Sequence, residues 1–135
     1  MRMYTNDANA KLIYPELSYR INGVLFKAHN IIGRFGRESQ YCDLAAKLFT
    51  EEKILFEREY VVADTGNRLD FFIEGIIIFE AKAKPVITRE DYYQMQRYLQ
   101  ILDVKLGILV NFRQQYLHPK RILRTKKGLE DREKF

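Results

Sequence analysis

A single cysteine, Cys42, among 135 residues excludes an internal disulfide, and two histidines, His29 and His118, are too few to build a Cys/His zinc cluster with it. A reducing compartment is the expectation. No stretch approaches the roughly 18 apolar residues that a spanning helix needs. The opening MRMYTNDANAKLIYPEL also lacks the apolar core of a secretory signal. A cytoplasmic protein with no membrane partner is therefore expected. Internal repeats, low-complexity tracts and interdomain linkers are absent as well, and a chain of 135 residues, 47% of them apolar, can bury one core but hardly two. What is present in excess is positive charge: 23 Lys and Arg against 18 Asp and Glu leave a net charge of +5, compatible with a polyanionic partner.

Residues 1–14 are polar and show no sustained period, which predicts an N-terminal arm. Leu17, Ile21, Val24, Ala28, Ile31 and Ile32 then recur at helical spacing. Gly33 and Gly36 punctuate the chain, and Tyr41, Leu44, Ala45, Leu48 and Phe49 predict a second helix over about 37–50. From Ile54 the pattern changes to three β-rich runs, ILFEREYVVA, RLDFFIE and GIIIFEAK. Pro85 closes that block, and Tyr92, Met95, Leu99 and Leu102 mark a third helix, with Thr88 as N-cap and Glu90 and Asp91 in its first turn. KLGILVNF returns to strand, RILR offers a short final one, and residues 125–135 read as a charged tail. The order α-α-β-β-β-α-β, with or without a last β, predicts an α/β domain over 15–124, a central mixed sheet flanked by helices.

Charges interrupt that apolar block at Asp70, Glu80 and Lys82. Period-2 geometry puts Glu80 and Lys82 on one face of their strand, with Phe79 and Ala81 on the other. Asp70 similarly breaks a run of Leu69, Phe71 and Phe72. Charges among apolar strands are costly unless paired or used. Two hard oxygen ligands can hold Mg2+ or Mn2+, and a lysine beside them can stabilise the charge that develops on a phosphodiester. The competing reading is an ordinary Asp70–Lys82 ion pair, with Glu80 reaching solvent.

A shared site also constrains the hairpin. Asp70 and Glu80 are an even number of positions apart, so a turn on Glu74 and Gly75 alone would set Asp70 opposite Phe79 and send Glu80 to the other face. An odd-membered connection around Glu74, Gly75 and Ile76, or a bulge near either acid, is predicted instead, with Gly75 supplying the unusual backbone angle.

The spacing R68-L-D70-x9-E80-A-K82, with HNIIGRFGRESQY before it and YYQMQRYLQILDVKLGILVNF and KRIL after it, resembles the PD-(D/E)xK nuclease superfamily, and within it the small GxxExxR proteins. The resemblance implies a metal-dependent nuclease acting on DNA or RNA. It implies Asp70 as metal-binding aspartate, Glu80 as second acid, Lys82 as catalytic lysine, Glu38 as the acid of the helix before the sheet, also toward the metal, and Gln94 as the glutamine of the following helix. The family's glycine three residues before that helical glutamate is Phe35 here, with Gly36 displaced by one, and the arginine three residues after it is Tyr41.

Other readings stay open on the residues themselves. Glu38 suits the first turn of a solvated helix, and Gln94 suits the boundary of an apolar stripe. His29 and His118 read as surface or boundary groups, and Arg34, Arg37, Arg113, Lys120, Arg121 and Arg124 as either a phosphate-binding rim or a solvated charged face. At the level of function the alternatives are a binding module of the same fold without turnover, or a complex-forming protein with an internal ion network. A homodimer is compatible with the sequence and not required by it.

Overall fold

The computed structural model describes residues 13–125, apart from Asp64. Residues 1–12 and 126–135, which hold most of the expected arm and tail, lie outside the described residues. Helix α1 (Pro15–Ile32) starts with proline in its first turn, where the missing N–H is harmless, and buries Ile21, Val24, Leu25 and Ala28 along one face. It stops at Gly33, whose φ of 86° leaves the helix while its N–H still bonds the His29 carbonyl at 2.8 Å. Helix α2 (Glu38–Glu51) is secured at its start by the Gln40 side chain, which accepts the Arg37 N–H at 2.8 Å, and buries Tyr41, Ala45, Leu48 and Phe49.

The tight loop between these helices is clamped by Tyr41. Its hydroxyl accepts the Gly36 N–H at 2.9 Å and donates to the Gly33 carbonyl, while its ring stacks on Phe112 at 4.2 Å. Gly36 is needed because a Cβ there would lie 2.6 Å from Ile32 Cγ2. Tyr41 is thus a fully buried anchor that fixes where α2, and Glu38 with it, begins.

Five strands follow: β1 (Phe56–Val61), β2 (Arg68–Ile73), β3 (Ile77–Lys82), then helix α3 (Arg89–Leu102), β4 (Leu106–Asn111) and β5 (Lys120–Leu123). They lie in the order β1-β2-β3-β4-β5 in one mixed sheet. All neighbouring pairs are antiparallel except β3 and β4, which run parallel because α3 carries the chain across between them. Interior strand β4 is buried at every position, as its apolar run Leu106–Val110 requires, and ends in the buried Asn111. Helices α1 and α2 cover one face, with Phe49 packed on Phe71 and Phe79 at 5.5 and 6.3 Å, and α3 covers the other through Met95, Tyr98 and Leu99. The chain is an α/β domain with a mixed sheet and helices on both faces.

The β2–β3 connection has three residues, Glu74, Gly75 and Ile76. The Ile76 N–H reaches the Ile73 carbonyl at 3.0 Å around Glu74 and Gly75, at φ 53° and 68°. The pairs Ile73↔Ile77, Phe72↔Ile78 and Phe71↔Phe79 follow, and one further step sets Asp70 opposite Glu80.

Candidate active site

At that next step the backbone ladder gives way to side chains. The Asp70 N–H donates to Glu80 Oε2 at 2.7 Å, and the Ala81 N–H donates to Asp70 Oδ2 at 2.8 Å. Carboxylate oxygens, not carbonyls of the opposite strand, take these two backbone N–H groups. Strand β1 departs from regular geometry at the same level: Glu59, between the pairs Arg58↔Phe71 and Tyr60↔Leu69, has φ 52°. The alternation of faces slips there too, since Phe71 and Ile73 join the core under α1 and α2 whereas Leu69 joins the core under α3. Strand β3 continues beside β4 through Glu80↔Leu109 and Lys82↔Asn111, so β2 and β3 diverge and leave their two acids in the fork.

Both acids are held where ionisation is costly. Glu80 is 6% exposed, and burial together with the Asp70 charge pushes its carboxyl up to about 8, against the opposing pull of the Asp70 N–H and Lys82. Asp70 is raised as well, first by burial, although the Ala81 N–H, Lys82 and Arg58 favour its ionised form. Burial raises the Cys42 thiol, and Asp70 and Glu38 reinforce that, so the lone cysteine is a buried thiol rather than a nucleophile.

Lys82 lies on the face of β3 that α3 covers, and its Nζ is 3.8 Å from Asp91 Oδ1. The ordinary Asp70–Lys82 ion pair is not formed, and Glu80 does not reach solvent. Asp91 also takes Lys84 Nζ at 2.6 Å and accepts the Thr88 N–H at 2.7 Å and the Thr88 hydroxyl at 3.1 Å. Burial opposes its ionisation, but Lys84, Thr88 and Lys82 outweigh burial and lower its pKa. One carboxylate therefore starts α3 and holds the ammonium groups of two lysines. The residue was legible as a first-turn acid; its grip on Lys82 depends on how α3 lies across β3, which no local pattern encodes.

Glu38 stands at the first position of α2 and lines, with Cys42, Arg58, Glu59, Arg68 and Asp70, an open cavity of about 430 Å³. Partial burial of its carboxyl and the Asp70 charge raise its pKa, opposed by Lys82 and Lys84. Gln94 is half-buried, one turn after Asp91 and one before Tyr98 on α3; it makes no hydrogen bond to the acids or to Lys82. The Tyr98 hydroxyl is shifted upward by burial and then by Glu80, which marks that helix face as the one nearest the fork. His29 is buried, with Nε2 2.8 Å from the Gln114 carbonyl, and has a structural part.

Among the described residues no three His, Cys, Asp or Glu side chains converge into a metal cage. Two carboxylates do face each other, and Asp70 Oδ1 and Glu80 Oε1 accept from no protein donor among the described residues. A hard divalent cation offsets the burial and the Asp70 charge that together raise Glu80, and Mg2+ in particular is commonly held by one or two carboxylates with water and substrate phosphate. The donor set fits such an ion.

A sequence model of the PD-(D/E)XK nuclease superfamily matches residues 15–124. The chain belongs to this superfamily, whose nucleases usually use divalent metals and act on nucleic acid. No curated protein and no solved structure matched the chain.

Proposed function

We propose that this protein is a divalent-metal-dependent nuclease that hydrolyses phosphodiester bonds of DNA or RNA, of the GxxExxR kind, with Asp70 and Glu80 as metal ligands and Lys82 as catalytic lysine. The observation that carries this reading is the fork between β2 and β3, where two opposed carboxylates replace ladder hydrogen bonds two residues before a lysine on the same face. Folding alone gives no reason for that arrangement, since apolar residues there would continue the ladder and the core at lower cost.

A Mg2+ or Mn2+ ion held by Asp70 and Glu80 would neutralise both acids and polarise a phosphodiester oxygen. As water attacks phosphorus and the P–O bond to the departing oxygen breaks, that oxygen leaving with a proton, Lys82 supplies a positive charge for the phosphoryl oxygens or the departing oxygen. Asp91 directs that ammonium group along the α3 face. Glu38, at the mouth of the cavity it shares with Asp70, serves as a further acid toward the metal. Gln94 would touch substrate from the neighbouring helix.

A binding module without turnover is favoured by one observation, the Lys82–Asp91 pair, because it engages the lysine with an acid outside the Asp70–Glu80 pair. The two readings part in a cleavage assay. Purified protein is incubated with single- and double-stranded DNA and RNA in Mg2+, Mn2+ or EDTA, beside Lys82→Ala. The nuclease reading requires metal-dependent cleavage that falls about 100-fold or more in the variant. Binding without cleavage under every metal condition selects the module instead.

A further inference from the structure

The loop between α1 and α2 presents an aromatic ring to solvent. Phe35 is 76% exposed, with the guanidinium carbons of Arg34 and Arg113 at 4.8 and 5.9 Å from its ring centroid. One exposed phenylalanine is ordinary on a protein surface. Two features set this one apart. Both arginines are held in place by backbone carbonyls: Arg34 Nε donates to the Arg113 carbonyl at 2.9 Å, and an Arg113 Nη2 donates to the Ala83 carbonyl at 3.2 Å. Neither guanidinium is ion-paired to an acid among the described residues, in contrast to Arg58, Arg68 and Arg124.

The position of the ring matters as much as its surroundings. Phe35 precedes Glu38 by three residues, in the loop that Tyr41 clamps, and the carbonyl that holds Arg113 belongs to the residue directly after Lys82. An aromatic ring with uncompensated positive charge beside it is thus tied to α2, which bears Glu38, and to β3, which bears Glu80 and Lys82.

We infer that Phe35 is a stacking platform for an unpaired base of a nucleic-acid strand, with Arg34 and Arg113 on the adjoining phosphates. This rests on the nucleic-acid reading above and adds to it a substrate class. Every base has a π face, so stacking tolerates sequence, and guanidinium groups neutralise the backbone beside it. In a duplex the base faces are already stacked on one another, so the platform selects single-stranded or locally opened substrate.

The chain has no tryptophan, which makes Phe35→Trp a single-site reporter. Binding of a labelled oligothymidine of about 20 nucleotides, and of a duplex of the same length, is measured by anisotropy in EDTA so that no cleavage intervenes. The platform predicts that Phe35→Ala weakens single-strand binding about tenfold, with little change on duplex. Phe35→Leu, which keeps apolar bulk but has no π face, should behave like Phe35→Ala. Phe35→Trp should bind as the wild type does, its emission quenched in step with binding. Equal single-strand affinity for wild type, Phe35→Ala and Phe35→Leu, with unquenched emission from Phe35→Trp, overturns the platform and leaves the nucleic-acid reading standing. A wild type that binds neither oligonucleotide removes that reading, and the platform with it.

Discussion

Glu80 and Asp91 both feel the charge of Lys82, yet their pKa values move in opposite directions, and the pH dependence of stability should separate them. The Glu80 carboxyl, ordinarily near 4.5, is pushed up to about 8 in the folded chain, so between those values the folded state holds a proton that the unfolded state has released. Its favourable contribution is complete below the lower value and disappears as pH rises through the upper one. In metal-free protein, Glu80→Gln keeps an oxygen acceptor for the Asp70 N–H and removes the buried charge. The variant should therefore be more stable than wild type above about pH 8, by roughly 1–2 kcal/mol or a few degrees in Tm, and close to it near pH 5. Asp91 is the reverse case: its pKa is lowered from 3.8, so its contribution is present above that value and is lost as pH falls through the lower folded one. Asp91→Asn should cost about 1–2 kcal/mol at neutral pH through loss of charge-assisted bonds at the start of α3, the difference narrowing in acid. Thermal melts of both variants across pH check the two signs together.

At the scale of elements, the register of β2 against β3 decides whether there is a site at all. Deleting Ile76 shortens the connection to Glu74 and Gly75 and leaves the Ile73↔Ile77 pair to flank a two-residue turn, so Asp70 should still stand opposite Glu80. The variant should therefore keep cooperative unfolding, with a Tm close to that of the wild type, which circular dichroism melts check. In the α1–α2 loop, Tyr41→Phe keeps the ring on Phe112 but leaves the Gly36 N–H and the Gly33 carbonyl without their partner, at a cost of about 1–3 kcal/mol. These elements were legible in the sequence to different degrees. The switch from helical to alternating spacing near Ile54 is a local signal, and the order of three helices and five strands follows from it. Asp70, Glu80 and Lys82 stood out because charge inside apolar strands is costly and needs a reason. Tyr41 was legible as a helical apolar residue and not as a clamp, because its partners, Gly33, Gly36 and Phe112, come from two other segments. Asp91 was legible as a first-turn acid, but its hold on Lys82 and Lys84 depends on the rotation of α3. The fork is legible only as a constraint of parity; that side chains replace ladder bonds there depends on how β2 and β3 part beyond Phe71↔Phe79, which no local pattern encodes.

For the molecule as a whole, a net charge of +5 and a nucleic-acid partner together imply binding that is sensitive to salt. With about four phosphates contacted, affinity should fall about 100-fold between roughly 50 and 200 mM salt, as condensed counterions are released on binding. Affinity unchanged over that range would point to another kind of partner. Among the described residues no helix is long and apolar enough to cross a membrane. What unites fold and chemistry is the carboxylate pair in the fork between β2 and β3, and the claim that it is a cation site can be tested without any substrate. Mn2+ is titrated calorimetrically into wild type, Asp70→Asn and Glu80→Gln at two pH values, one below and one above about 8, where Glu80 titrates. The account predicts saturable binding that tightens as pH rises through that value, since the ion must displace the Glu80 proton, and at least about tenfold weaker binding in both variants. Identical affinity in all three proteins would contradict it.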